Sequence, residues 1–450
     1  MRTYYFSDFS VLSWCNNYGV SVLFVLSRAP VFQSILYGKA PSEFSPVCLP
    51  YILFATHRGI HKRLTYKTIL HFIQNHDESE LCIVDFPSWL NEFHNSFRPG
   101  IIKNLKKWLK NIIHCLIYVM INEEKLYSLK DICVIPAPIT TINSRSECVC
   151  RGYDIRGQWD KEALPLIASP MSCVLYGSNY KHFLNNHINV VIPRTVPFET
   201  RLTLFRDMFC AFSMEEGKEL VKRFSYLDSA FICLDMANGH MKAQLDLGNE
   251  IKTKLGGYVK VMGGNIANPE TYKYYCQAGF DYVRVSVGSG NGCLSSVMTS
   301  IHYPMASLLD KIQEIRKNIQ GHQCKVIADG GMTGYSDIIK ALVLGADYVM
   351  AGLLFAKAAT GEEQVGDTLD YYGMSTKRAQ QEMGKTVLKT SEGKFLKITK
   401  EYTLPGWTEN MDSYLRSAMS YCDARTLEEL REKAQVQVVT RETIKTISGK

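Results

Sequence analysis

The chain has 450 residues, 46% of them apolar and 21% charged, with a net charge of +7. That length holds one large domain plus about a hundred further residues. The mild positive charge suits anionic small-molecule substrates, and a basic surface of this size alone does not argue for nucleic acid. The 14 cysteines are scattered, without C-x-x-C pairs at zinc spacing, which speaks against a disulfide scaffold and for a reducing, cytoplasmic setting.

Residues 1–119 are aromatic-rich and carry cysteines but no motif. The run Gly19–Leu26 is too short to span a bilayer, and Asn16-Asn17 stand where a signal peptide would have a basic flank. A second stretch, Lys103 to Ile121, leads from lysines into Ile112–Met120. It can lie on a membrane surface, but packing on a domain or lacking stable structure is the expectation, and no membrane partner is expected.

From about residue 160 the character changes. Short β-branched or apolar runs near 164–169, 189–194, 209–213, 230–236, 258–263, 281–287, 324–329 and 347–352 alternate with segments of helical period, the pattern of parallel βαβ units. Several of these strands end in glycine or a small polar residue: Asp235-Met236-Ala237-Asn238-Gly239, Gly263-Gly264-Asn265, Asp329-Gly330-Gly331 and Ala351-Gly352. Polar residues gathered at the carboxyl ends of eight strands predict an α/β chain folded as a (β/α)8 TIM barrel with its site on that face. A doubly wound sheet is the alternative; no early turn carries the G-x-G-x-x-G fingerprint it would need. The sixth strand runs into Val287-Gly288-Ser289-Gly290-Asn291-Gly292-Cys293-Leu294-Ser295, a glycine turn that presents one cysteine two residues ahead of a hydroxyl. Taken alone, this turn is as compatible with a structural bend as with a nucleophile.

The ordered set of Ser144-Arg145-Ser146-Glu147, the Cys293 turn, Asp329-Gly330-Gly331 and Tyr371-Tyr372-Gly373-Met374-Ser375 resembles the IMP dehydrogenase/GMP reductase family of purine nucleotide oxidoreductases, over about residues 125–435. Met120 stands near where members of that family begin. Residues 120–450 are therefore expected to be the barrel domain, and 1–119 an N-terminal extension or an over-extended reading frame.

The resemblance implies roles residue by residue. Cys293 would add as a thiolate to C2 of the purine, with Ser295, in place of the family's threonine, relaying protons. The nucleotide phosphate would rest on Gly330, Gly331, Ala351 and Gly352, with Asp329 holding the ribose hydroxyls and Tyr372, Gly373, Met374 and Ser375 closing over phosphate and base. Leu353 stands where the family often offers serine or glycine. Ser391-Glu392-Gly393-Lys394 resembles the segment in which a glutamate protonates departing ammonia, so Glu392 joins the catalytic set, and Ser391, Gly393 and Lys389 the substrate contacts. Lys389 replaces an arginine. Cofactor contacts would come from Ser144, Arg145, Arg194, Asp235, Met236, Ala237, Val287 and Gly288, with Ser417, Ala418, Met419 and Ser420 reaching in from a neighbouring subunit of a homotetramer. The basic Arg194 favours NADPH over NADH. A potassium ion would sit on the carbonyls of Gly288, Gly290 and Cys293. Ala168-Ser169-Pro170-Met171-Ser172 departs from the family's Asn-Met-Asp-Thr at the first strand's mouth.

The choice within the family rests on two spacings. About 35 residues separate Arg194 from Phe231, leaving no room for the CBS modules typical of the dehydrogenases. Only 16 residues lie between Met374 and Ser391, without the Arg-Tyr pair of the dehydrogenase flap. NADPH-dependent reductive deamination of GMP to IMP is the expected reaction. The alternatives are a dehydrogenase lacking CBS modules, which would take IMP to XMP with NAD, and a catalytically silent nucleotide binder.

Overall fold

The computed structural model describes residues 2–6, 9–15, 20–27, 51–56, 125–157, 162–361, 363–440 and 442–443. The chain divides into two units, Met1–Asn122 and Glu123–Lys450. In the first, strands β1 (Arg2–Phe6), β2 (Phe9–Cys15), β3 (Val20–Ser27) and β4 (Tyr51–Thr56) form an antiparallel sheet in that order. Most of Gly19–Leu26 thus lies in β3; the Lys103 to Ile121 stretch falls outside the described residues.

The second unit is a (β/α)8 barrel. Its staves are β6 (Leu166–Ala168), β7 (Asn189–Ile192), β8 (Phe209–Phe212), β9 (Ser229–Leu234), β10 (Tyr258–Ile266), β11 (Tyr282–Val285), β12 (Lys325–Asp329) and β13 (Tyr348–Ala351). Each pairs in parallel with the next, and β13 closes onto β6 through the register Val349 to Leu166. All eight match runs read from the sequence. A lead-in strand, β5 (Ile132–Ile135), pairs antiparallel with the late strand Gln435–Val438, a contact between distant ends of the domain.

Helix Met214–Arg223 shows how sequence sets the outer layer. Ser213 Oγ accepts from the Glu216 amide at 3.2 Å, and the Glu216 carboxylate accepts from the Ser213 amide at 2.8 Å, a reciprocal cap that starts the helix. Met214, Gly217, Leu220 and Val221 then recur at three- and four-residue spacing and are buried. Among the described residues, no helix is long and apolar enough to cross a membrane.

Inside the barrel, Phe209, Phe231, Tyr282 and Tyr348 fill the lumen, with Phe209 edge-on to Tyr282 at 5.5 Å and Tyr282 edge-on to Tyr348 at 5.9 Å. Tyr282 donates its buried hydroxyl to the Ile155 carbonyl at 2.5 Å, so the segment before β6 seals the amino end. Function is left to the carboxyl end. There a hairpin of Thr368–Tyr372 and Phe395–Thr399 stands beyond the last stave.

Candidate active site

Strand β11 delivers the chain into the glycine turn, which closes on itself when the Cys293 amide donates to the Gly290 carbonyl at 2.9 Å. A five-residue helix, Ser295–Thr299, begins immediately after. The loop 391–394 lies antiparallel against this turn: Leu294 N–H donates to Glu392 O at 2.6 Å and Lys394 N–H to Gly292 O at 2.8 Å. Pinned by its own backbone, Glu392 accepts a hydrogen bond from Ser295 Oγ at 2.5 Å, and the Cys293 thiol donates to the same Oγ at 3.4 Å. A thiol, a hydroxyl and a carboxylate thus stand in series, with the carboxylate contributed from 97 residues away. All three side chains are partly exposed.

Asp329 ends β12 beside this turn. Gly330 and Gly331 follow with φ of +87° and +81°, a conformation natural to glycine; a Cβ on Gly330 would lie 3.2 Å from the Gly290 amide. Gly373 is required by proximity, since a Cβ there would strike the Gly292 carbonyl. Ala351 is buried, and a Cβ on Gly352 would meet Met171 Sδ at 3.0 Å and Tyr371 Oη at 3.1 Å. The unusual Met171 and the buried Tyr371 therefore shape the mouth over the expected phosphate turns. Leu353 opens a short helix and is half-buried against the core.

Tyr372 is turned away from the cysteine: its hydroxyl donates to Glu382 at 2.7 Å and lies 3.2 Å from Ser172 Oγ, and its ring stacks on Phe395. Met374 packs on the core. Gln380 ties the segment expected to contact substrate together, donating to the Ser375 carbonyl at 2.9 Å and the Lys389 carbonyl at 3.1 Å while accepting from the Lys389 amide at 2.8 Å. The Lys389 side chain remains exposed. Ser391 Oγ accepts from the Gly393 amide at 3.2 Å, which sets the turn that carries Glu392.

A charge network occupies the other half of the mouth. Arg194, after β7, gives its Nε to Asp235, after β9, at 3.1 Å. Asp235 also accepts from Arg284 Nη1 at 2.6 Å, and Asp329 accepts from Arg284 Nε and Nη2 at 3.0 and 2.9 Å and from Asn265 Nδ2 at 2.7 Å. Burial works against the charge on Asp235, but Arg284 and Arg194 outweigh it and hold its carboxyl below the ordinary range. Burial likewise opposes the charge of Arg284, and the two aspartates overcome it, lifting its pKa well above the usual value. Arg284 was not among the residues singled out from the sequence, and Asn265 was read there only as the polar end of its strand. An arginine inside Tyr-Val-Arg-Val reads as a solvent-facing strand position until the barrel closes around it.

The remaining cofactor candidates fall in two places. Met236 is half-buried and Ala237 exposed beside Asp235. Val287 and Gly288 lie in the cysteine turn, where Val287 O faces His302 Nδ1 at 2.9 Å. Ser144 and Arg145 are exposed in a short 3-10 turn capped by Ser144. They neighbour the end of helix Leu404–Tyr421, where Thr140 Oγ1 donates to the Ser420 carbonyl at 2.9 Å. Ser417, Ala418 and Ser420 are half-buried there, whereas Met419 is turned fully into the core. Among the described residues, no hydrogen bond or ion pair links this patch to the network around Cys293.

His240 is a further mouth residue that sequence reading passed over. Its Nε2 accepts from the Ala267 and Asn268 amides at 3.0 and 3.1 Å, tying the loop after β9 to the loop after β10. Burial holds its pKa below the ordinary histidine value.

Comparison with known proteins bears on this geometry. The family model described as the IMP dehydrogenase / GMP reductase domain matches residues 200–448. The chain is 28% identical to a GMP reductase of Onchocerca volvulus over 348 residues, covering 72% of this chain and 93% of that one. It is also 28% identical to a GMP reductase of Shouchella clausii over 331 residues, covering 70% and 96%. An inosine-5'-monophosphate dehydrogenase of Aquifex aeolicus is 32% identical over 243 residues, covering 50% of this chain and 48% of that one.

Proposed function

Because the chain belongs to the IMP dehydrogenase/GMP reductase family of oxidoreductases, we propose that it is a GMP reductase, converting GMP to IMP and ammonia with NADPH. The observation that carries this reading is the Cys293–Ser295–Glu392 series. In it the thiol proton has a path through Ser295 Oγ to the Glu392 carboxylate, leaving a thiolate to attack C2. The same carboxyl group, now protonated, faces the place where the 2-amino group must leave. An amine departs as ammonia only once it is protonated, so a positioned acid is the chemical requirement of this step. After ammonia leaves, C2 remains bonded to Cys293 Sγ, and reduction at C2 releases the thiolate with IMP. Asp329 would hold the ribose hydroxyls, and the glycine amides at 331 and 352 would receive the phosphate, the Gly330 amide being engaged by the Met350 carbonyl at 3.3 Å.

The residues fit a phosphorylated nicotinamide nucleotide. Arg194 commits only its Nε to Asp235, so its terminal nitrogens have no partner among the described residues. Half-buried Met236 and exposed Ala237 offer an apolar ledge beside it. Arg194 would take up an anionic group there, and Arg145 with Ser144, Ser417, Ala418 and Ser420 would do so from a second copy in a tetramer. When bound, the cofactor supplies a hydride. A potassium ion finds a poorer fit, because Gly288 O already accepts from Ser296 Oγ at 2.8 Å and Gly290 O from the Cys293 amide at 2.9 Å. No step here uses one.

The test is to supply the purified chain with GMP and NADPH, and separately with IMP and NAD, while following the nicotinamide absorbance. Oxidation of NADPH with formation of IMP supports the proposal. Reduction of NAD alone identifies a dehydrogenase, and silence in both directions leaves a nucleotide binder.

A further inference from the structure

The geometry points to Arg284 as a positioning residue through which nucleotide binding and cofactor binding influence one another; this rests on the functional reading above. Arg284 sits on the short strand β11 between Val283 and Val285, both without exposed surface, and is itself 6% exposed. A cation in such a place is retained only where anions and hydrogen bonds match it. Its planar fork meets that demand on two sides at once. Nε and Nη2 both reach Asp329 Oδ2, at 3.0 and 2.9 Å, while Nη1 reaches Asp235 Oδ1 at 2.6 Å.

Asp329 and Asp235 serve different ligands in the proposed reaction, the ribose of the purine nucleotide and the nicotinamide cofactor. Asp329 ends β12 and Asp235 directly follows β9, strands that do not pair with each other. With Asn265 added, Asp329 Oδ2 accepts three hydrogen bonds, which directs the other oxygen, Oδ1, to a ligand. Two carboxylates and two guanidiniums, counting Arg194, form a neutral set whose members cannot shift singly without separating charge. A hydroxyl bound at Asp329 therefore fixes the fork of Arg284, and the fork fixes Asp235 before the second ligand arrives. The second ligand then binds to a site already ordered, and linkage makes the effect reciprocal. A lysine would keep the charge but lose the fork, and a single ammonium cannot span both carboxylates as this guanidinium does.

Equilibrium binding with GMP and NADP+, a pair that cannot complete turnover because NADP+ carries no hydride to give, tests this. In the wild-type chain, saturating NADP+ should tighten GMP binding by about fivefold or more. In Arg284→Lys the change should fall below about twofold, with the circular-dichroism spectrum and the rate of Cys293 alkylation retained. Asp235→Asn cuts the same link from its more exposed end; with NADP+ raised until this variant too is saturated, the effect should be abolished while GMP affinity in the absence of NADP+ stays within about threefold, so the test survives a failure of Arg284→Lys to fold. Wild-type binding of both ligands without coupling, or coupling undiminished in the folded variants, overturns the inference and leaves the functional reading intact. A wild-type chain that binds neither ligand overturns the functional reading and the inference with it.

Discussion

The two ends of this barrel are built from the same eight strands and solve opposite problems. At the amino end, Phe209, Phe231, Tyr282 and Tyr348 interlock, and the hydroxyl of Tyr282 is satisfied by the backbone of the segment that covers it. At the carboxyl end the same strands finish in Asp235, Asn265 and Asp329, and the turns beyond them carry partly exposed Cys293, Ser295 and Glu392. One end is closed by apolar shape. The other is held open by charges that balance one another and by loops pinned through backbone hydrogen bonds. Stability is thereby concentrated where no chemistry occurs, and the mouth can tolerate polar groups that a packed core could not.

The contrast can be broken at either end. Cys293→Ala should lower turnover by a factor on the order of 10^6, the scale seen when a nucleophile is removed, while the melting temperature stays unchanged; steady-state rates and a thermal melt check both halves. Glu392→Gln should reduce kcat by about 10^2 to 10^4-fold with little change in the KM for GMP, as expected for loss of a general acid. At the closed end, Phe231→Ala removes a fully buried ring and should cost about 3–5 kcal/mol, read from denaturant unfolding. That variant should lose stability without a selective loss of the chemical step.

The smallest effect is expected from His240. Both of its ring nitrogens are engaged, Nε2 as the acceptor of two amides and Nδ1 with Asn238 Oδ1 at 3.0 Å. Protonation at Nε2 would forfeit both amide bonds. Its folded pKa is lowered by burial, so the unfolded chain takes up the proton first as pH falls. Stability should be unaffected above the ordinary histidine pKa of about 6.5 and decline as pH drops below it. Denaturant midpoints of wild type and His240→Gln across that range check this, with the variant showing the flatter profile.

Much of the fold was legible because parallel strands buried on both faces read as apolar runs, and even the four-residue β8, Phe209–Phe212, the weakest of the eight in the sequence, forms as a stave. The Cys293, Ser295 and Glu392 grouping was legible through its motifs, and the structure brings the three side chains together. Other features were not, for physical reasons that differ. Arg284 is hidden because its role depends on two carboxylates from separate strands. The pairing of Thr368–Tyr372 with Phe395–Thr399 and of Ile132–Ile135 with Gln435–Val438 depends on long-range closure that local patterning does not encode. Met419 shows the reverse limit, a residue inside a cofactor-like segment whose helical phase turns its side chain into the core.

The central claim is a bond between Cys293 Sγ and purine C2. Acid-quenching the chain during turnover with GMP and NADPH, followed by mass spectrometry of the peptide containing Cys293, measures it directly. The account predicts an added mass equal to GMP less ammonia, located on Cys293 and absent from Cys293→Ala. Steady production of IMP by a Cys293→Ala chain, with no such adduct in the wild type, would contradict it.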